Sequence, residues 1–179
     1  EDDIVSELFE ADQTEVMHPA IAEYVEGRLL AAMECYNMDA ACDLGSLYYT
    51  GRIGKQDFAR AVELHTMAAE GGQRQAAENL GYCYYYGRSV EKDYEKAFHY
   101  YKLASDQGNI VAAYKLADMY KNGYYVQKDY PKYVQIIKSL YPLLQGATNT
   151  FDPVPEIYSR LAKIYVEEGN EDQAIQLLL

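Results

Sequence analysis

Tryptophan is missing from the sequence, phenylalanine occurs four times and proline five, so its aromatic character rests on tyrosine, 20 of 179 residues. A tyrosine joins an apolar ring to a hydrogen-bonding tip and suits half-buried helix faces and binding surfaces. Cysteine is scarce and odd in number. Cys35, Cys42 and Cys83 form no CxxC pair and have no histidine at metal spacing, which argues against a disulfide framework and a zinc site. Free thiols in a reducing, cytoplasmic setting are the expectation, with a Cys35–Cys42 pairing across a helix junction the alternative. No apolar run approaches the roughly 18 residues of a membrane span, so no membrane partner is expected. The first residues show no signal-peptide pattern.

Basic residues are also few: 16 Lys and Arg against 28 Asp and Glu give a net charge of −12. Glu1, Asp2, Asp3, Glu7, Glu10, Asp12 and Glu15 supply seven of those charges with no Lys or Arg among them, leaving −5 on the rest. Nucleic acid is an unsuitable partner, because affinity for phosphates rests on Lys and Arg. A basic protein or peptide fits the charge. The chemistry of catalysis is absent too. There is no HExxH, GxSxG or glycine-rich phosphate loop, and His18, His65 and His99 fall on separate elements as expected helix-surface residues. The expectation is a protein that is not an enzyme and needs no cofactor or metal.

What the chain does have is a repeat. Leu44, Leu80 and Leu116 are 36 residues apart, as are Tyr48, Tyr84 and Tyr120; Gly51, Gly87 and Gly123; and Asp57, Asp93 and Asp129. The alanine pairs Ala40-Ala41, Ala76-Ala77 and Ala112-Ala113 keep the same step. A period of this length is the mark of stacked helical hairpins sharing one core. The fold expected is all-α, a right-handed α/α superhelix forming a single domain over 1–179. Within it, 1–38 is a partial capping repeat, 39–74, 75–110 and 111–146 are full repeats, and 152–179 is a further hairpin.

Each full repeat reads as two helices. The first run about Asp39–Tyr49, Gln75–Tyr86 and Ile110–Asn122; the second about Phe58–Glu70, Tyr94–Gln107 and Tyr130–Leu144. Gly45, Gly81 and Ala117 let a neighbouring helix approach closely, which offsets the ~1 kcal/mol a glycine costs inside a helix. Gly51, Gly87 and Gly123 end the first helices in the left-handed conformation. Asp57, Asp93 and Asp129 stand before the second helices, where a carboxylate caps orphan N–H groups. An N-terminal amphipathic helix to about Ala11, a helix opened by Pro19, and a helix start at Asp152-Pro153 complete the expectation. The last residues, Leu177, Leu178 and Leu179, lack a polar cap, so either the natural chain continues or this end meets another subunit.

The pattern LG-x-x-Y-x-x-G-x-x-V-x-x-D-x-x-K-A, carried by Leu80, Gly81, Tyr84, Gly87, Val90, Asp93, Lys96 and Ala97, resembles the Sel-one-like repeat (SLR) family, relatives of tetratricopeptide (TPR) repeats. A second turn glycine usual in that pattern is replaced by Ile53, Ser89 and Tyr125, which predicts a less tight turn. The resemblance implies an adaptor or scaffold without catalysis.

In such solenoids the first helices line a concave face. Taking each Leu of the repeat as inward, positions two before, two after and five after it point to the groove: Cys42, Ser46 and Tyr49; Glu78, Tyr82 and Tyr85; Tyr114, Asp118 and Lys121, with Tyr86 at the border. The expected function is binding of a protein or peptide in this tyrosine-rich groove. Tyr82 and Tyr85 have a second reading, as packing against the next repeat. Two other functions compete: a homo-oligomer through the C-terminal end, and a hydrolase acting through Glu78 or Asp118.

Overall fold

The computed structural model describes residues 16–144 and 154–178. Among these residues there are nine helices and no strand: α1 Pro19–Glu34, α2 Met38–Thr50, α3 Phe58–Glu70, α4 Arg74–Tyr86, α5 Tyr94–Asp106, α6 Ile110–Asn122, α7 Tyr130–Leu144, α8 Val154–Glu167 and α9 Glu171–Leu178. The all-α hairpin architecture expected from the 36-residue step is the one observed. The N-terminal acidic helix and the helix start at Asp152-Pro153 fall outside the described residues. The chain divides into two compact units, Glu1–Ala76 and Ala77–Leu179.

The helix boundaries follow from end chemistry. Asp57, Asp93 and Asp129 each accept the backbone N–H three residues on, from Arg60 at 2.9 Å, Lys96 at 3.0 Å and Lys132 at 2.8 Å. This satisfies one of the donors that a helix start leaves bare. A second set of caps, also 36 residues apart, starts the first helices. Asn37 and Asn109 accept from Ala40 and Ala112 at 3.0 and 2.8 Å, and the Gln73 amide oxygen accepts from Ala76 at 2.7 Å. That second set does not stand out as a repeat in the sequence, because Gln73 breaks the residue type while keeping the acceptor. Gly51, Gly87 and Gly123 take φ of 74°, 68° and 76°, as a left-handed helix exit requires.

Two turns depart from what composition alone suggests. Ser89 and Tyr125 replace glycine yet keep positive φ, 69° and 65°, while the first repeat moves the feature one residue along to Gly54 at 82°. The left-handed turn is therefore retained, and a side chain carries the strain. Tyr36 is the second case. It stands 36 residues before Gly72 and 72 before Gly108, shares their positive φ at 59°, and is 85% exposed.

Packing in the first unit brings Ala22 and Val25 of α1 onto Leu44, Leu47 and Tyr48 of α2, with Ile53, Ala61 and Leu64 completing the core. In the second unit, Ala113, Tyr114 and Ala117 of α6 pack with Tyr133, Ile137, Leu140 and Leu144 of α7 and with Ile157, Leu161 and Ile164 of α8. The large residues of α7, which break the small-residue pattern of α3 and α5, fill the layer between α6 and α8. Buried alone, a Leu or Ile in such a layer contributes about 1.5–3 kcal/mol.

One packing device recurs through all three repeats. A side chain of the second helix lies over a small residue of the first: His65 over Gly45, Tyr101 over Gly81, and Ile137 in the layer of Ala117. His65, Tyr101 and Ile137 are 36 residues apart and are 2%, 0% and 0% exposed. A Cβ added to Gly45 would stand 2.7 Å from the His65 ring, and one on Gly81 would stand 2.5 Å from the Tyr101 ring. This corrects the expectation that His65 lies on a helix surface. Its spacing of 34 from His99 hid the equivalence, because the repeat partner of His65 is a tyrosine.

Candidate functional site

The expected groove residues fall on three helices, and the structure treats them unequally. On α2, Cys42 is buried at 3% exposure rather than lining a surface. Its neighbour in space is His65, whose ring makes a backbone hydrogen bond to Cys42 and approaches the Ser46 hydroxyl at 3.4 Å through Nε2. Burial holds the His65 imidazole down at about 4, so the ring is neutral at ordinary pH. Tyr49 is half-buried and meets the Phe58 ring edge-on at 5.6 Å. None of Cys35, Cys42 and Cys83 is in a disulfide; Cys35 is exposed and the others are buried. Burial raises the Cys83 thiol to about 11, which makes it unreactive as a nucleophile.

The second unit holds the aromatic part of the site. Tyr85 of α4 is the centre of a ring cluster, with Tyr86 at 4.8 Å, Tyr94 at 5.5 Å, Tyr124 at 5.9 Å and Tyr101 at 6.1 Å. Tyr94 and Tyr124 stack nearly parallel at 4.7 Å beside it. Burial, and then the Asp118 charge, push the Tyr85 hydroxyl well above the usual phenol range. Tyr85 is half-buried within this cluster. Tyr82 and Tyr86 are different: they are 37% and 41% exposed and contact each other at 4.7 Å. Glu78 lies on the same helix, one turn before Tyr82, and is half-buried.

On α6, Tyr114 is buried at 7% exposure. It is covered by a residue that the repeat pattern did not point to, Arg160 of α8. The Arg160 guanidinium lies 4.4 Å from the Tyr114 ring centre and forms an ion pair with Asp118. Lys115 does a similar thing one repeat earlier. Its Nζ meets the Tyr86 hydroxyl at 2.9 Å and sits 5.3 Å from that ring's centre. Lys115 and Arg160 each stand directly before the leucine of their helix, Leu116 and Leu161. Lys121 covers the Tyr133 ring at 4.9 Å. Cations laid on tyrosine faces in this way contribute about 0.5–2 kcal/mol each, more when desolvated.

For catalysis the arrangement offers little. Asp118 is committed to Arg160. His18 caps α1 through Nδ1, and His99 is exposed beside the Tyr100 ring. Among the described residues no cluster of three His, Cys, Asp or Glu could hold a metal, and no helix is long and apolar enough to cross a membrane.

Comparison with known proteins agrees with this picture. The Sel1 repeat family matches residues 39–73, 74–109 and 110–132, more than half of the chain. A Sel1 repeat protein of known structure from Oxalobacter formigenes is 29% identical with a TM-score of 0.64, over 76% of this chain and 96% of that one. A protective antigen of uropathogenic Escherichia coli strains, which displays an SLR fold, is 28% identical with a TM-score of 0.62. That match covers 77% of this chain and 33% of the antigen, so the chain spans about a third of the antigen's length. No curated protein matches. Sel1 repeats generally serve as protein–protein interaction scaffolds and are typically not enzymes. With three matched repeats and the helical hairpins that go with them, the chain belongs to the Sel1 repeat family.

Proposed function

We propose that the protein is an interaction module whose second unit docks a protein or peptide partner on the face made by α4 and α6. The single observation that carries this reading is the exposed pair Tyr82 and Tyr86, two rings in contact and both more than a third exposed, set between charged groups. Large aromatic side chains left in water cost free energy that a partner recovers on covering them, and tyrosine does so with few rotatable bonds to freeze. Glu78, Asp118 and Lys121 supply the polar rim. Tyr85 and Tyr114 support the face from beneath, and Cys42, Ser46 and Tyr49 form the corresponding region of α2.

The test is affinity capture followed by cross-linking, comparing the wild type with Tyr82→Ala/Tyr86→Ala. The expected result is loss of the captured partner, with cross-links in the wild type mapping to α4 and α6. Undiminished capture by the double variant would contradict the reading. Neither ring fills the buried core, so thermal denaturation should show the variant folded.

A further inference from the structure

The turn glycine of the repeat carries a chemical liability in one copy. Gly51, Gly87 and Gly123 all take positive φ where a first helix ends, so glycine is favoured at each. The residue before it varies: Thr50, Tyr86 and Asn122. The third repeat therefore contains an Asn-Gly peptide, and the sequence has no other. Asparagine is a thermolabile side chain. A following glycine leaves the attack on its amide unhindered, because no Cβ stands beside the attacking nitrogen.

The reaction is a ring closure. The Gly123 backbone nitrogen gives up its proton and attacks Cγ of Asn122, the bond from Cγ to Nδ2 breaks, and the side-chain amide leaves as ammonia. Water then opens the succinimide at either carbonyl. One product is aspartate; the other is isoaspartate, in which the backbone runs through the former side chain.

Folding holds both reacting groups. Asn122 is the last residue of α6 and is exposed, so water reaches it. The Gly123 N–H donates to the Met119 carbonyl at 2.9 Å, which keeps its proton in place and ties the nitrogen to the helix end. The Asn122 side chain is tied back as well, its Nδ2 donating to the Asp118 carbonyl at 2.9 Å. Thr50, at the same position of the first repeat, makes the same bond through Oγ1 to the Ser46 carbonyl at 2.8 Å. Ring closure needs the backbone of Asn122 to leave the helical conformation, which breaks the Gly123 cap. The last turn of a helix is where such opening costs least.

We propose that Asn122 is a modification site, deamidated when the last turn of α6 opens and protected while that turn is closed. The product reinforces the opening. Its carboxylate has no N–H to return to the Asp118 carbonyl, and its charge stands at the negative end of the α6 dipole. Asn122 occupies on α6 the position that Tyr86 has on α4, so the new charge arises at the edge of the proposed docking face. The reaction itself does not depend on that reading.

The test is peptide mapping by mass spectrometry, with an isoaspartate assay, on the full chain incubated in buffer and in the same buffer with denaturing guanidinium. In the unfolded chain, Asn122 should convert faster than any other asparagine. In the folded chain its rate should fall on the order of tenfold or more, the factor by which closure of the turn outweighs opening. Gly123→Ala, compared in guanidinium so that its effect on folding is irrelevant, should slow conversion several-fold, because a Cβ then crowds the attacking nitrogen. Equal rates in the folded and unfolded chain would overturn the protection. Faster conversion at another asparagine of the unfolded chain, or an unchanged rate in Gly123→Ala, would overturn the site.

Discussion

Replacing Tyr36 by glycine deletes a whole aromatic side chain from a helix–helix turn, and the protein should become more stable for it. The side chain is 85% exposed, so little packing is lost. The backbone holds φ at 59°, the left-handed region that Gly72 and Gly108 occupy at 89° and 84° in the equivalent turns. A side-chain-bearing residue there costs about 1–2 kcal/mol. Glycine gives back about 0.5–1 kcal/mol of that through its greater freedom in the unfolded chain. The net gain is about 0.5–1 kcal/mol. For a chain of this size that corresponds to a rise in Tm of roughly 1–4 °C. In urea it appears as a higher midpoint at constant slope. Gly72→Ala is the mirror-image control: its Cβ would meet nothing within 4 Å, so it tests backbone strain alone and should destabilise by about 1 kcal/mol. A midpoint for Tyr36→Gly equal to or below the wild type, with Gly72→Ala neutral, would refute the strain argument.

His65 should make the fold acid-sensitive. Its folded-state value of about 4 lies below the free value of 6.5, so its contribution is full above pH 6.5 and is lost as the pH falls through about 4. By pH 4.5 that amounts to about 2.5 kcal/mol, seen as a smaller loss of stability between pH 7.5 and 4.5 in His65→Gln than in the wild type. Gly81→Ala should cost about 1–3 kcal/mol by chemical denaturation, because the new Cβ collides with Tyr101. Adding Tyr101→Ile, which recreates the Ala117 and Ile137 pairing of the next repeat, should recover most of the loss. Asp93→Ala removes the acceptor for the Lys96 N–H and should cost about 1 kcal/mol in the same assay.

The parts of the fold that could be read from the sequence are those where one residue type does one local job at a fixed step. Asp57, Asp93 and Asp129 cap, and Gly51, Gly87 and Gly123 turn, because these jobs depend on the backbone nearby and tolerate few substitutes. The Gln73 cap is not legible in the sequence because the job is kept while the residue type changes. The face was harder to read, since exposure depends on what a neighbouring element lays over a position. Tyr114 is at a groove position by spacing, yet Arg160 covers it. Arg160 could not be anticipated from the step of 36, because Leu116 to Leu161 is 45 residues and the register is broken between them. Tyr85 and Tyr82 looked alike in sequence. Only the rings of Tyr94, Tyr101 and Tyr124 around Tyr85 distinguish a half-buried residue from an exposed one. His65 was masked by its own chemistry, for a histidine among tyrosine and isoleucine equivalents does not look like a core residue.

The central claim, that Tyr82 and Tyr86 form the docking surface, is tested most directly by quantitative partner capture with three proteins side by side: wild type, Tyr82→Ala/Tyr86→Ala, and Tyr36→Gly. The account predicts that the wild type and Tyr36→Gly retain the same partner in equal amount, while the double tyrosine variant, folded by its melting curve, loses it. Equal capture by all three would contradict the claim.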